Sequence, residues 1–115
     1  MSKKYLKRIS LLNDNEKIKF YELLTHKLTV SIRAIIYNKE TSSKEKLDQV
    51  KWLNEIMHEL VQRTSRLRLG CNSRSDKEFY ENTKHWILQN KSIREDVSWA
   101  FSSSFDALKK NKRKK

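Results

Sequence analysis

Three histidines and one cysteine are the residues of this chain best suited to metal binding or covalent catalysis. Glu55 and His58 form a Glu-x-x-His pair, a spacing that places two metal ligands on one face of a helix. A carboxylate-bridged metal site in a helical bundle needs two such pairs and two further glutamates, and this sequence supplies one pair. Helical spacing also puts His26, His58 and His85 on the polar sides of their predicted helices. We therefore expect no metal site and no cofactor.

Cys71 is the only thiol that could act as a nucleophile. Neighbouring arginines would lower its pKa, but a catalytic thiolate also needs an oriented base, and no pattern in the sequence indicates one. The chain has no Gly-rich phosphate loop and no pair of metal-ligand cysteines. We expect a protein without enzyme activity, in which this cysteine is structural or incidental.

Cysteine usage and hydropathy also bear on location. A single cysteine cannot form an internal disulfide, and no apolar signal-peptide core follows Met1, so we expect a reducing, cytoplasmic compartment. Charged residues interrupt every apolar stretch well before the roughly 18 to 20 residues of a membrane span. The sequence therefore predicts no membrane span.

Positive charge is the strongest functional signal in the sequence. The formal net charge is +12, and fourteen of the 26 lysines and arginines lie in three runs, within residues 1–10, 63–74 and 109–115, that contain no acid. The segments between these runs are neutral or slightly acidic. The candidate residues for binding nucleic acid or another polyanion are Lys3, Lys4, Lys7, Arg8, Arg63, Arg66, Arg68, Arg74, Lys109, Lys110, Lys112, Arg113, Lys114 and Lys115.

Cationic runs of this kind attract phosphates by releasing condensed counterions, which gives salt-sensitive affinity without sequence specificity. Arginine also suits bidentate contacts with phosphate or carboxylate. The leading hypothesis is a non-catalytic regulatory or accessory protein that binds DNA or RNA through backbone phosphates. An acidic protein partner or an anionic membrane surface would satisfy the same charges. The simplest alternative is a solvated tail with cations at a helix C-terminus.

The segment around Gly70 superficially resembles the turn of a helix-turn-helix. Aligning Gly70 with that motif's turn glycine puts Arg66 where a small residue usually packs and Asp76 where an apolar residue is expected. Glu78 and Glu81 would also face DNA phosphates unfavourably. A capped turn between two helices explains the segment better.

The elements that must position these residues are predicted to be helices. Proline is absent and Gly70 is the only glycine, whereas β-rich folds need many turns with positive φ. Four N-terminal capping pairs precede helical apolar repeats. These pairs are Asn13 with Glu16, Ser42 with Glu45, Ser75 with Glu78, and Ser92 with Glu95.

The apolar repeats predict helices over about residues 14–37, 43–69 and 76–89, and a fourth from about residue 93 that Ser102 to Ser104 could interrupt. Gly70 would end the second helix in the left-handed conformation. Residues 5–12 could form one or two helical turns if they dock on the rest of the protein. The short linker between the two long helices predicts an antiparallel hairpin.

The first long helix carries two apolar stripes, so it should contact two neighbours. Trp99 projects away from the main stripe of the last helix and is either buried by another segment or exposed as an interface anchor. The candidate protein interface consists of Trp99, Phe20, Leu23 and Val30. Through it the chain would form a homodimer, or act as an adaptor or inhibitor of an acidic protein.

Together these patterns predict an all-α fold, a small bundle of four to five helices built around a long antiparallel helical hairpin. We expect a basic N-terminal segment at residues 1–12, one helical domain at 13–108 and a basic tail at 109–115.

Overall fold

The computed structural model describes residues 3–70 and 76–113, with the side chains of 4–70 and 76–110. Over these residues the chain forms five α-helices and one 3₁₀ turn, without a β-strand, and the predicted all-α bundle is confirmed. The elements are α1 (Lys3–Ser10), α2 (Asp14–Tyr37), α3 (Ser43–Arg68), α4 (Asp76–Gln89), the 3₁₀ turn (Lys91–Ile93) and α5 (Arg94–Arg113).

Caps explain where the long helices begin and end. Asn13 accepts a hydrogen bond from the Glu16 backbone N–H, and the Glu16 side chain accepts one from the Asn13 N–H, so the predicted capping box opens α2. Ser42 Oγ accepts from the Glu45 N–H at the start of α3. Gly70 follows α3 with φ +72°, the left-handed conformation predicted for it.

The helices α2 and α3 form the predicted antiparallel hairpin. Arg68, at the end of α3, forms an ion pair with Glu22 near the start of α2. At the opposite end of the pair, Lys46 Nζ donates to the Ile36 carbonyl oxygen at 3.0 Å. The start of one helix therefore lies beside the end of the other.

The other two long elements continue this up-and-down arrangement. Lys17 at the start of α2 pairs with Asp76 at the start of α4 at 2.7 Å, and Asn90 after α4 donates to Asp48 near the start of α3 at 2.6 Å. Ring contacts join Phe20 of α2 to Phe105 of α5, with centroids 4.3 Å apart. One end of the bundle thus gathers the starts of α2 and α4 with the final turns of α3 and α5.

Aromatic side chains fill the core at that end. Phe20, Tyr21, Phe79 and Phe101 are each 2% exposed or less, and their ring centroids lie between 5.6 and 6.2 Å apart in successive pairs. Such pairs contribute about 0.5–1.5 kcal/mol each beyond the burial of their area. The core therefore joins α2, α4 and α5.

The N-terminal segment docks on this core as α1. Tyr5 stacks on Phe101 and Phe105 at 5.3 and 6.0 Å, and Ile9 is completely buried. A helix of eight residues is too short to persist alone. Tertiary burial of its apolar face explains why these turns are helical.

Two expectations about α5 need correction. Ser92 does not cap α5, because residues 91–93 form a 3₁₀ turn whose cap is Asn90, with its side chain accepting from the Ser92 N–H. Ser102 to Ser104 do not interrupt the helix, which continues to Arg113. Burial of Phe101 and Phe105 on either side of the serines outweighs their weak competition with the helix. The predicted Ser75 cap lies outside the described residues.

Candidate polyanion-binding surface

The N-terminal and C-terminal basic runs meet on one side of the bundle. Arg8 of α1 and Lys109 of α5 stand about a hundred residues apart in sequence, yet both line one open cavity of about 300 Å³. Its remaining lining residues are apolar: Leu11, Leu12, Phe105 and Leu108. Two cations therefore flank an apolar floor, at the end of the bundle where α5 finishes. We call these six residues the α1/α5 groove.

Packing of α1 determines where the first basic run lies. The Arg8 guanidinium carbon lies 4.0 Å from the centroid of the Phe105 ring, a cation–π contact that extends the stacking of Tyr5 on the same ring. With these side chains turned toward α5, Lys4 and Lys7 are exposed. The helix thus presents its cations to solvent beside α5.

The C-terminal basic run continues α5 outward. Lys109 and Lys110 are exposed, and the helical backbone runs on through Arg113. The C-terminal end of a helix carries partial negative charge, which lowers the free energy of nearby cations. The side chains of Lys3, Lys112 and Arg113, and all of Lys114 and Lys115, lie outside the described part of the structure.

The middle run contributes less than its composition indicated. Arg63 is only 2% exposed, donates to Glu59 Oε1 at 3.0 Å and lies 5.2 Å from the Phe79 ring centroid. It is therefore a core residue, and its assignment to a polyanion-binding surface is corrected. The sequence showed an acid-free run, but α4 covers this turn of α3 and buries the arginine.

Arg66 and Arg68 remain at the end of the bundle that holds the α1/α5 groove. Arg66 is half-buried, and Arg68 is exposed but paired with Glu22. Arg74 lies outside the described residues. Among the described side chains, by contrast, Lys7, Arg8, Lys109 and Lys110 form no ion pair with a carboxylate.

Carboxylates also lie at this end and reduce its potential. Asp76 holds Lys17, while Asp106 is exposed one turn before Lys109 and Lys110 on α5. Pairs at this spacing on an exposed helix face contribute only about 0.2–0.5 kcal/mol. Asp106 therefore weakens the local positive potential without removing it.

A part-buried polar network links α2 and α4 beneath this end. Tyr21 Oη donates to Asp76 at 3.2 Å, and Asp76 accepts from Lys17. Burial raises the pKa of Tyr21 well above its ordinary value, and the neighbouring Asp76 carboxylate raises it further. The network holds the start of α4 against α2 and gives the end of the bundle a defined shape.

The candidate protein interface is only partly on the surface. Phe20 is 0% exposed, so its assignment to an interface is corrected: Phe105 and Phe101 cover it. Leu23 is half-buried, while Val30 and Trp99 are 42% and 44% exposed. Lys27 Nζ lies 5.5 Å from the Trp99 ring centroid, which places Trp99 at the seam between α2 and α5.

The histidines considered for metal binding are not gathered into a metal site in the described structure. No group of three His, Cys, Asp or Glu side chains among the described residues is arranged to hold a metal ion. His58 contacts Gln62 at 3.2 Å on the exposed side of α3. Cys71 lies outside the described residues. None of the described helices combines the length and apolarity needed to span a bilayer.

Leu11, Phe105 and Leu108 were not identified from sequence as parts of a functional surface. The apolar spacing of Tyr5, Ile9 and Leu12 was the available signal that α1 would dock, but it did not say on which helix.

Comparison of the chain with protein-family models, curated protein sequences and solved structures gave no match.

Proposed function

We propose that this chain is a non-catalytic regulatory or accessory protein that binds nucleic acid through backbone phosphates, in the cytoplasm. The observation that supports this most is the meeting of the first and last basic runs at the α1/α5 groove, where Arg8 and Lys109 line one cavity. Arg8 and Lys109 in the groove, and their sequence neighbours Lys7 and Lys110, form no ion pair with a described carboxylate. They can contact phosphates without first breaking an internal salt bridge.

Counterion release predicts how such binding depends on salt. If these four cations contact phosphates, the logarithm of the association constant should fall with the logarithm of salt concentration at a slope of about −3 to −4. Affinity would then drop roughly 100-fold between about 50 and 200 mM salt. An apolar interface would show little such dependence.

A triple substitution, Lys7→Gln with Lys109→Gln and Lys110→Gln, tests the location. The matched control is Lys39→Gln with Lys44→Gln and Lys91→Gln, three exposed lysines at the opposite end of the bundle. Both variants lower the net charge of +12 by three. Fluorescence anisotropy with labelled oligonucleotides would give affinity and salt slope for each.

The Lys7, Lys109 and Lys110 triple variant should lose most of its affinity at about 100 mM salt, and the slope of its salt dependence should be shallower by about 2 to 3. The affinity of the control should stay within about twofold of the wild type. At this salt concentration, interactions between exposed charges more than about 10 Å apart are largely screened. Equal losses in both variants, or no binding by the wild type at low salt, would overturn the proposal.

Protein association is the second candidate function, and the exposure of Trp99 at the α2/α5 seam and of Val30 on α2 favours it. Tryptophan anchors are enriched at interfaces because their large rings bury much area. Light scattering over a range of concentrations, with Trp99→Ala as the variant, tests self-association. A monomer at every concentration excludes the homodimer.

A further inference from the structure

The α1/α5 groove has the features of a site for an unpaired base. Its Arg8 guanidinium covers the Phe105 ring at 4.0 Å, and Phe105 is 4% exposed beneath it. Arg8 itself is exposed. Because the Arg8 guanidinium lies over the ring and the residue is exposed, its side turned away from Phe105 is open to solvent, and a guanidinium plane stacks readily on a nucleobase.

Apolar surface adjoins that guanidinium. Leu11 is 77% exposed and lines the groove together with half-buried Leu12 and with Leu108. An exposed leucine makes no favourable contact with a phosphate, but it can pack against the edge of a base. The cavity of about 300 Å³ is at the small end of the range for ligand sites.

Cations on both sides of the groove suit the phosphates that flank such a base. Arg8 lies on α1 and Lys109 on α5, and Lys110 follows on the exposed side of α5. A single strand crossing the groove would place a base between the two helices and its neighbouring phosphates near these side chains. This combination of stacking plane, apolar contact and positive flanks is typical of single-strand binding.

We propose, on the basis of the proposed function, that the ligand is single-stranded nucleic acid and that one of its bases stacks on the Arg8 guanidinium. A duplex keeps its bases paired and stacked inside, so it would leave Leu11 exposed and use only the charges. The middle basic run adds little for a duplex, because Arg63 is buried and Arg68 is paired with Glu22.

The test compares three labelled probes by fluorescence anisotropy on the full chain. These are an oligothymidylate of about 20 nucleotides, longer than the ~4–16 nucleotides that a small single-strand-binding domain covers, a duplex of the same length, and a polyglutamate peptide. The single strand should bind about tenfold more tightly than the duplex, because base stacking adds to phosphate contacts. The peptide should bind more weakly than either.

Arg8→Lys keeps the charge and removes the stacking plane. It should weaken single-strand binding by about fivefold or more and leave both the salt slope and duplex affinity unchanged. Arg33→Lys, an exposed arginine on α2 at the opposite end, is the matched control and should have no effect. Leu11→Ser gives a second test that leaves the core intact, and it should also weaken binding of the single strand selectively.

The outcomes separate this inference from the function on which it depends. A duplex bound as tightly as the single strand overturns the single-stranded ligand, and Arg8→Lys and Leu11→Ser both without effect overturn base stacking in the groove. In either case phosphate binding stands. Binding of polyglutamate with no binding of either nucleic acid overturns both.

Discussion

Arg63 Nε donates a hydrogen bond to Glu59 Oε1 at 3.0 Å, one turn apart on α3, and both side chains are buried. The Arg63 guanidinium also lies 5.2 Å from the Phe79 ring centroid of α4. This ion pair is part of the contact between α3 and α4. Arg63, which the acid-free run predicted to contact a polyanion, thus belongs to the core.

Removing one partner of this pair should be strongly destabilising. Glu59→Ala leaves a buried guanidinium without its carboxylate, and we expect a loss of about 3–5 kcal/mol in the free energy of unfolding, measured by urea denaturation. Replacing both residues, Glu59→Met with Arg63→Met, should restore most of that loss, because no buried charge remains. A double variant as unstable as the single one would contradict this explanation.

Tyr5 should control the docking of α1. Tyr5→Ala removes two ring contacts, with Phe101 and Phe105, and should lower the free energy of unfolding by about 1–3 kcal/mol. Amide hydrogen exchange in α1 should accelerate first. Tyr5→Phe removes only the hydroxyl that contacts Ser102 Oγ at 3.0 Å, at an exposed position, and should change stability by less than about 0.5 kcal/mol.

Gly70 should be sensitive to substitution for backbone reasons alone. Its φ is +72°, and a Cβ built there would meet no heavy atom within 4 Å. Gly70→Ala should therefore cost about 1–2 kcal/mol through the left-handed conformation rather than through a clash. Gly70→Asn should cost less, because asparagine tolerates this region better. Equal losses in urea denaturation would count against the backbone explanation.

Stability should fall at alkaline pH because of Tyr21. Burial, reinforced by Asp76, raises the pKa of its hydroxyl in the folded state above the ordinary 10.0, so the unfolded chain loses this proton first. The folded state then binds more protons, and the free energy of unfolding decreases as pH rises above about 10.

Tyr21→Phe should reduce the slope of stability against pH in that range. Some slope should remain, since burial also raises the pKa of Tyr80, with a further contribution from Glu81. Tyr37→Phe, at a side chain that is 79% exposed, is the control and should leave the slope unchanged. Urea denaturation between about pH 9 and 11 provides the measurement. A Tyr21→Phe slope identical to that of the wild type would contradict the assignment.

Local chemistry made much of the fold predictable. The bounds of α2 and α4 match the sequence prediction, and α3 ends one residue earlier than expected, because caps and apolar spacing act within a few residues. The 3₁₀ turn before α5 was missed because Asn90 competes with Ser92 as a cap. Asn90 is held by a long-range hydrogen bond that it donates to Asp48 of α3, while the Ser92 hydroxyl accepts a hydrogen bond from Gln49 of α3.

The candidate surface was less predictable. The three acid-free runs are visible in the sequence, but the sequence of a run does not show which of its side chains are buried. Phe20 and Arg63 were placed on surfaces, and both lie in the core, since their exposure depends on which helices cover them.

The amino-acid sequence by itself determined that this protein is helical, where α2, α3 and α4 begin and end to within one residue, and that its excess charge is cationic and clustered. Only the tertiary structure decided that α1 packs against α4 and α5, so that Arg8 lies over Phe105 and lines one groove with Lys109. The physical reason is the sequence separation over which each interaction acts. Capping and helical periodicity act between residues a few positions apart, whereas the meeting of residues 8 and 109 depends on core packing that brings distant segments together.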